Sequence, residues 1–341
     1  MMTRAIFILL FLLPGIVPGI VPGIVPGMVP GRIARAQAGG TVMFYLGTFT
    51  SEGAEGLSLC TLDTVTGEMA TVRVFKGIDN PGFLTISPDR QFMYVATRGP
   101  KATDPDGGAV SAFRIMEDGG LQFLNKQTSA GEDPCFVEVS RDGKWVTAAN
   151  YGGGSVVLYP VGEDGALRPA ASVIRHEGSG PRKNRQARPY AHSIRFTPFG
   201  ETVYAADLGA DRLFAYRLQL PEGKLVATPD ASALLPAGSG PRHFDFTPDG
   251  RFCYVANELS STVTVFAFRQ GRMHQIQDIP ALPAEYEGVS YCADIHLSPC
   301  GRFLYVTNRG HNSVAVFSRD GDTGEISPLA YVPVEGNWPR H

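Results

Sequence analysis

Apolar and polar residues alternate in short runs along most of this chain, and the runs recur at a nearly constant interval. Five copies share a turn position, occupied by Pro88, Arg141, Pro198, Pro248 or Pro299, and these positions lie 53, 57, 50 and 51 residues apart. Apolar residues stand four and two positions before each turn, which is the period-two pattern of a strand with one buried face. The chain is therefore predicted to repeat one structural unit.

Further strands follow each turn. A second apolar run ends nine residues after the turn position, at Thr97, Asn150, Asp207, Asn257 or Asn308, and a third alternating run comes next, often with a weaker fourth. Four short antiparallel strands every fifty or so residues are typical of a β-propeller blade. We therefore predict an all-β propeller over residues 39–341. A β-sandwich is the alternative, but it does not explain one register repeated five times.

The repeats begin and stop in the middle of a unit. The first strand-like run, at 43–48, matches a second strand of the later copies, so the inner strand that should precede it is absent. The last three residues, Pro-Arg-His at 339–341, repeat the triplet at 241–243, where an inner strand starts. We therefore expect a propeller whose last blade is truncated in this chain.

Residues 1–38 differ from the repeats in composition. A short positive start and an apolar run precede tandem Val-Pro-Gly repeats and small-residue cleavage sites that end at Ala36 or Ala38. This pattern is typical of an export signal, and the prolines and glycines disfavour a membrane helix. We predict a periplasmic or secreted protein that is not membrane-bound after signal cleavage. An uncleaved anchor is the alternative, although the apolar run is short for a bilayer.

The charge of the chain gives it no general attraction for nucleic acid or anionic lipid. The formal net charge is −3, and loss of residues 1–38 removes Arg4, Arg32 and Arg35 and no acid, which makes it −6. The insertion at 175–189 is basic nonetheless and leads directly to His192. It favours an anionic ligand such as a carboxylate or phosphate, unless it is a solvated loop.

The cysteines indicate neither a disulfide framework nor a metal site. Five cysteines cannot all pair with one another, and none stands at metal-ligand spacing. We expect mostly buried free thiols and no cofactor.

Ionisable residues gather at the strand starts and strand exits of the later copies. Because the first two strands of a blade are antiparallel, these positions share one rim, so side chains from different blades converge on one mouth of the central channel. The residues are His192, Arg242, His243, Glu258, Asp294, His296, Arg309 and His311. Histidines interleaved with arginines and carboxylates favour acid/base chemistry on a small molecule over a structural role.

The position at the end of the second strand is interpreted differently. It is always Asn, Asp or Thr, which predicts a side chain that bonds to backbone in a tight turn. We therefore interpret Asn150, Asn257 and Asn308 as structural residues.

Ordered motifs over nearly all of residues 43–341 resemble the seven-bladed propeller lactonases, the family of bacterial 6-phosphogluconolactonase and carboxymuconate-cyclase-like proteins. The motifs are Tyr-Leu-Gly-Thr at 45–48, Asn-Tyr-Gly-Gly-Gly-Ser at 150–155, Arg-Gln at 185–186, Ala-His-Ser at 191–193, Ala-Asp-Leu-Gly at 206–209, Gly-Pro-Arg-His at 240–243, Asn-Glu-Leu at 257–259, Asp-Ile-His-Leu-Ser-Pro at 294–299 and Asn-Arg-Gly-His at 308–311. Two positions depart from the family: Tyr190 replaces a frequent histidine, and Asp294 replaces the usual glutamate.

The resemblance implies seven blades, a small-molecule lactone as substrate, and a central cleft lined by His192, Asp207, Arg242, His243, Glu258, His296 and Arg309. Our hypothesis is metal-independent hydrolysis of a sugar lactone. Glu258 or His243 would be the general base, Arg242 with Arg309 would stabilise the oxyanion, and His192 paired with Asp207 would protonate the leaving oxygen. The residues predicted to bind substrate are His296, Asp294, Arg309, His311 and Arg185.

Two other functions stay open at this point. A muconate-type lactonising cycloisomerase would close the ring instead of opening it, and a periplasmic propeller could bind a ligand without turnover. Export favours an unphosphorylated lactone, because phosphorylated sugar lactones belong to the cytoplasm.

Overall fold

A computed structural model describes residues 40–99, 107–200 and 202–341 of the chain. These residues form 24 strands and two short 3-10 helices, Thr50–Glu52 and Pro229–Ala231. Within these ranges, no helix has the length and apolar character needed to cross a membrane. The predicted export signal lies outside the described residues.

The described strands form six antiparallel sheets, and each sheet is built from strands that follow one another in the chain. The first sheet contains β1 (Thr41–Gly47), β2 (Leu57–Asp63) and β3 (Met69–Phe75), and the second contains β4 (Pro81–Ile86), β5 (Phe92–Thr97), β6 (Ala109–Ile115) and β7 (Leu121–Thr128). The third contains β8 (Pro134–Val139), β9 (Trp145–Asn150), β10 (Ser155–Pro160) and β11 (Ser172–Arg175).

The fourth sheet contains β12 (Ala191–Phe196), β13 (Thr202–Asp207), β14 (Arg212–Gln219) and β15 (Lys224–Ala227), with the short β16 (Ala233–Leu234) paired to β14. The fifth contains β17 (Pro241–Phe246), β18 (Phe252–Asn257), β19 (Thr262–Arg269) and β20 (Arg272–Pro280). The sixth contains β21 (Tyr291–Leu297), β22 (Phe303–Arg309), β23 (Ser313–Arg319) and β24 (Ile326–Pro333).

The turn between the first two strands of a blade fixes their register. In the fifth sheet, the Thr247 hydroxyl donates to Asp249 Oδ1 at 2.5 Å, and the Gly250 N–H donates to the Thr247 carbonyl at 2.8 Å. Gly250 has φ 66°, a left-handed conformation that glycine adopts without steric cost. The Pro-Asp-Gly sequence therefore returns the chain in the register that the alternation predicts.

The apolar rows of neighbouring sheets pack against each other. Between the fifth and sixth sheets the core includes Tyr254, Val263, Ile295 and Phe317, each at most 1 % exposed. Burial of a side chain of this size contributes about 1.5–3 kcal/mol. The Tyr254 hydroxyl also donates to the Gly324 carbonyl at 2.8 Å, which ties one blade to the next.

The propeller prediction is confirmed. The predicted third strands lie within β6, β10, β14, β19 and β23, and β1 has no inner neighbour among the described strands. The six sheets that the described residues form are one fewer than a seven-bladed ring contains, in agreement with the predicted truncation of the last blade.

The cysteine prediction is also confirmed. All five cysteines lie within the described ranges and are free, and those at 60, 135, 253 and 292 are buried while Cys300 is exposed.

Candidate active site

Each complete blade begins its inner strand with a β-bulge. In β17, Pro241 pairs with Asn257 but His243 pairs with Ala256, so Arg242 is an extra residue. The same shift occurs at the start of β4, β8 and β12, and a wider irregularity occurs in β21. A bulge re-aims one side chain. Each blade therefore places two consecutive residues at its inner end, and in β17 both are buried.

Side chains from several blades meet around His243. Its ring centroid lies 5.6 Å from Phe83, 5.2 Å from Phe136, 5.2 Å from His192 and 5.4 Å from His341. These contacts come from β4, β8, β12 and the end of the chain. The structure therefore brings His192 and His243 together in one central cluster.

Asp294 accepts hydrogen bonds from histidines through both carboxylate oxygens. Nδ1 of His243 lies 2.7 Å from Oδ1, and Nε2 of His296 lies 2.9 Å from Oδ2. His341 Nδ1 is 3.4 Å from the same Oδ2. Since His243 donates through Nδ1, its Nε2 is available as an acceptor, and that atom is buried with no hydrogen-bond partner in the described structure.

The charges around Asp294 set the protonation of these groups. Burial and the positive charge of Arg242 hold the pKa of His243 well below its usual value. Burial opposes ionisation of Asp294, but His296 and His243 hold its pKa well below the ordinary range. Burial lowers the pKa of His296, but Asp294 more than offsets this and raises it. At neutral pH, His243 is therefore neutral and Asp294 is ionised.

A second cluster is centred on the buried carboxylate of Glu258. Arg309 donates to its Oε2 at 2.8 Å, Arg185 donates to its Oε1, and Arg242 Nε lies 3.3 Å from Oε2. Burial opposes ionisation, but Arg309, Arg242 and Arg185 lower the pKa of Glu258. A carboxylate held by three guanidinium groups is a weak base.

The guanidinium of Arg242 has no exposed surface. Its Nη1 donates to the Ala293 carbonyl at 2.6 Å. Within the part of the chain that the structure describes, Nε and Nη2 of Arg242 and Nε of Arg309 have no hydrogen-bond partner. Burial, Arg309 and Arg340 lower the pKa of Arg242 to about 9. Unpaired buried donors beside excess positive charge indicate a place for an anion or an oxyanion.

The basic insertion contributes one of its arginines to this cluster. The Arg185 guanidinium lies 5.6 Å from the centre of the Tyr291 ring, and that of Arg309 lies 5.9 Å from the same centre. Arg188 instead donates to the Gly152 carbonyl at 2.6 Å and covers the Tyr190 ring. The loop at 175–189 is therefore packed against the cluster through Arg185.

The predicted pairing of His192 with Asp207 is wrong. Asp207 Oδ2 lies 2.7 Å from His176 Nδ1, and Oδ1 accepts the backbone N–H groups of Tyr190, Gly209 and Ala210 at 2.8–3.0 Å. Both side chains of the His176–Asp207 pair are completely buried. Asp207 stands at the end of β13, the second strand of its blade, and its carboxylate holds the backbone of the turn that follows.

The asparagines at this position support that interpretation. Asn150 and Asn308 donate through Nδ2 to the carbonyls of Ser129 at 2.8 Å and Ala281 at 2.7 Å. Asn257 donates instead to the hydroxyls of Thr262 and Thr264. The predicted bond to backbone is thus present for Asn150 and Asn308, but their partners lie 21 and 27 residues away and not in the turn itself. For Asn257 the predicted bond to backbone is wrong, because its amide bonds to side chains.

His192 has neighbours other than a carboxylate. Its Nδ1 is 3.7 Å from Cys135 Sγ, and its ring centre is 5.3 Å from that of Tyr151. Burial, Arg242 and His243 hold the pKa of His192 well below its usual value. His192 is therefore a neutral member of the cluster.

His311 does not join the other predicted site residues. Its Nδ1 is 2.7 Å from the Ser313 hydroxyl, and its ring packs edge-on against Tyr286 with centres 4.6 Å apart. None of its contacts among the described residues reaches Glu258 or Asp294. It follows Gly310, whose φ of 98° turns the chain away after β22. The predicted role of His311 in substrate binding therefore stays a prediction.

The sequence argument did not include His341 and Arg340 among the site residues. His341 stacks on His243, and burial, with further effects from Arg242 and Arg340, lowers its pKa to about 4 although Asp294 opposes the shift. The repeated Pro-Arg-His triplet was the signal that could have found them. Phe83 and Phe136, which stack with centres 4.4 Å apart, form the apolar side of the cluster.

The histidines and Asp294 could also hold a metal ion. One ligand atom each from His243, Asp294 and His341 lies within 4.8 Å of the others. The positive charge of Arg242, however, opposes a cation here for the same reason that it lowers the pKa of both histidines.

Comparison with known proteins agrees with this fold. The family model "Lactonase, 7-bladed beta-propeller" matches residues 43–341. A 6-phosphogluconolactonase of Bacillus subtilis is 37% identical over 299 residues, which cover 87% of this chain and 83% of the relative. One of Formosa agariphila is 30% identical over 302 residues, which cover 87% and 84%.

A solved structure is similar as well. The periplasmic gluconolactonase of Pseudomonas aeruginosa has a TM-score of 0.82 and 34% identity, and the match covers 88% of this chain and 85% of that one. These relatives act on lactones by their names, and lactonases are carboxylic ester hydrolases. The chain belongs to the lactonase family of seven-bladed β-propellers.

Proposed function

We propose that the chain hydrolyses a sugar lactone at the central cluster by acid/base catalysis that needs no metal. The observation that carries the proposal is that the adjacent residues Arg242 and His243 hold buried donors and a buried base that make no hydrogen bond within the part of the protein that the structure describes. Nε2 of His243 and the Nε and Nη2 atoms of Arg242 have no hydrogen-bond partner within the described ranges. Hydrolysis of a lactone needs a base for water and donors for the carbonyl oxygen.

His243 is the general base in this mechanism. Its Nδ1–H is held by Asp294, which orients the ring and stabilises the imidazolium that forms when Nε2 takes a proton from water. Glu258 is the weaker alternative because three arginines hold its charge. The structure thus favours one of the two bases that the sequence left open.

Arg242 and Arg309 stabilise the transition state. The water oxygen forms a bond to the carbonyl carbon, and the negative charge that develops on the carbonyl oxygen meets their unpaired N–H groups. The ring carbon–oxygen bond then breaks, and His243 gives the proton that it took from water to the leaving ring oxygen. Neutral His192, whose ring centre is 5.2 Å from that of His243, is placed to orient the leaving oxygen.

The substrate class follows from charge and from the relatives. Three arginines face one glutamate, so an anionic or strongly polar sugar lactone suits the cluster. The named relatives include 6-phosphogluconolactonases and a periplasmic gluconolactonase. The export signal predicted at 1–38 and the periplasmic relative support a periplasmic or secreted location and an unphosphorylated lactone.

The test is lactone hydrolysis by the purified chain, measured as acid release with 6-phosphogluconolactone and with gluconolactone. We expect turnover above the spontaneous rate, and a loss of about a hundredfold or more in Arg242→Ala. Ring closure in the reverse assay without hydrolysis would support a lactonising cycloisomerase. Ligand-dependent thermal stabilisation without turnover in either direction would support a binding propeller instead.

A further inference from the structure

The arginine cluster carries more positive charge than its own carboxylate balances. Among the described residues, Arg185, Arg242 and Arg309 form ion pairs with Glu258, so three positive charges share one negative charge. The side chain of Glu258 is 5% exposed and that of Arg309 is 10% exposed. Asp294, the other nearby buried carboxylate, has both oxygens engaged by histidines. The three arginines therefore outnumber the two nearby carboxylates, Glu258 and Asp294.

The unpaired donors have the geometry that a carboxylate requires. Nε and Nη2 of Arg242 lie on the same edge of the planar guanidinium, and neither makes a hydrogen bond in the described residues, although Glu258 Oε2 is 3.3 Å from Nε. An edge with two parallel N–H groups binds the two oxygens of a carboxylate side by side. Nε of Arg309 supplies a third donor.

Hydrolysis creates such a carboxylate in this position. The lactone is neutral at its reacting ester, and after water adds and the ring carbon–oxygen bond breaks, the carbonyl oxygen and the water oxygen become the two oxygens of a carboxylate. The proton of the new acid is released at neutral pH. A carboxylate presents two charged oxygens that can accept two parallel N–H groups of a guanidinium, whereas the ester carbonyl presents one neutral oxygen. The product therefore gains contacts that the neutral ester group does not make.

We propose that the buried arginines 185, 242 and 309 form a receptor for the carboxylate of an open-chain sugar acid, and that the chain binds this product more tightly than the lactone. The inference rests on the proposed function for the source of the acid. Tighter binding of the product than of the lactone means that the enzyme is inhibited by its own product. Sugar acids supplied by other reactions would occupy the same site and reduce lactone turnover.

Calorimetric titration of the full chain tests this proposal without any turnover. The probes are gluconate, the uncharged sugar alcohol glucitol, and inorganic phosphate. We expect gluconate to bind about tenfold or more tightly than glucitol, a difference of the size that charge-assisted hydrogen bonds supply. We also expect the Kd of gluconate to lie about tenfold or more below the KM of the lactone. High salt should weaken binding of gluconate but not of glucitol.

Two variants and a control locate the receptor. Arg242→Gln should weaken gluconate binding about tenfold or more, and Arg185→Gln, at a side chain that is 32% exposed and easier to replace, should weaken it to a smaller degree. Arg272→Gln removes an arginine that is 61% exposed on β20 and should leave binding unchanged. If Arg242→Gln does not fold, the comparison of gluconate with glucitol on the unaltered chain still decides.

Each result has a separate meaning. Equal binding of gluconate and glucitol, or no effect of Arg185→Gln and Arg242→Gln, would overturn the receptor. Tight phosphate binding with weak gluconate binding would overturn it in favour of a phosphate site. Lactone turnover without gluconate inhibition would reject the receptor and keep the lactonase, whereas gluconate binding without turnover would reject the lactonase and keep the receptor.

Discussion

Nδ1 of His243 donates a hydrogen bond of 2.7 Å to Oδ1 of Asp294, although the two residues lie on the inner strands of different blades. The bond fixes the ring tautomer, so the lone pair is on Nε2. It also joins two blades at the centre of the propeller. The basicity of His243 and the arrangement of the two blades therefore depend on the same hydrogen bond.

Asp294→Asn should reduce the rate of lactone hydrolysis by about a hundredfold or more, because an amide can donate to Nδ1 and move the proton to Nε2. The measurement is kcat, with circular dichroism to verify folding. Asp278→Asn, on the outer strand β20, is the control and should keep the wild-type rate. A kcat close to wild type in folded Asp294→Asn would remove Asp294 from the mechanism.

The pH profile should reflect the lowered pKa of His243. Burial and Arg242 disfavour its cation, so the neutral base persists as pH falls and is lost only when pH falls through the folded-state pKa, below the ordinary histidine value. We expect the acidic limb of kcat/KM below about pH 6.5, the unperturbed histidine value. An acidic limb at or above that value would contradict the assignment of His243 as the base.

Glu258→Gln should destabilise the fold by about 3–5 kcal/mol, because it leaves buried guanidinium groups without their carboxylate. Denaturant unfolding measures the change. Asp230→Asn is the control: that side chain is 93% exposed, and its substitution should change stability by less than about 0.5 kcal/mol. Equal unfolding midpoints for the two variants would show that the arginines do not depend on Glu258.

Asp207→Asn tests the structural role of Asp207 at the end of β13. It weakens the bond to His176 and the bonds from backbone N–H groups, so stability should fall by about 1–3 kcal/mol, as for other disrupted buried hydrogen bonds. The kcat of the folded protein should stay within about threefold of wild type. A loss of rate without a loss of stability would restore a catalytic role to Asp207.

Chelation should leave the rate unchanged, because the positive charge of Arg242 opposes a cation at His243, Asp294 and His341. The measurement is hydrolysis after dialysis against EDTA, with metal analysis of the protein. Inactivation that Zn²⁺ or Mn²⁺ reverses would replace the acid/base mechanism with a metal-dependent one.

The strands could be predicted because alternation is a local property of the sequence. The turn at 247–250 and the apolar positions of Phe244 and Ile295 carry their own signal in a few neighbouring residues. The partner of Asp207 could not be found in this way, since His176 lies 31 residues away in an irregular insertion. The pairing of Asp294 with His243 spans 51 residues and depends on the bulges that begin the inner strands.

The bulges at the inner strands have an evolutionary consequence. The same two positions hold Gly82 and Phe83 in one blade and Arg242 and His243 in another, while the register on either side is kept. Side chains at these positions can therefore be exchanged without repacking the layers between blades. A change of reaction in a lineage of such proteins therefore needs few residues, but these must change together across blades, because His243 of one blade bonds to Asp294 of another.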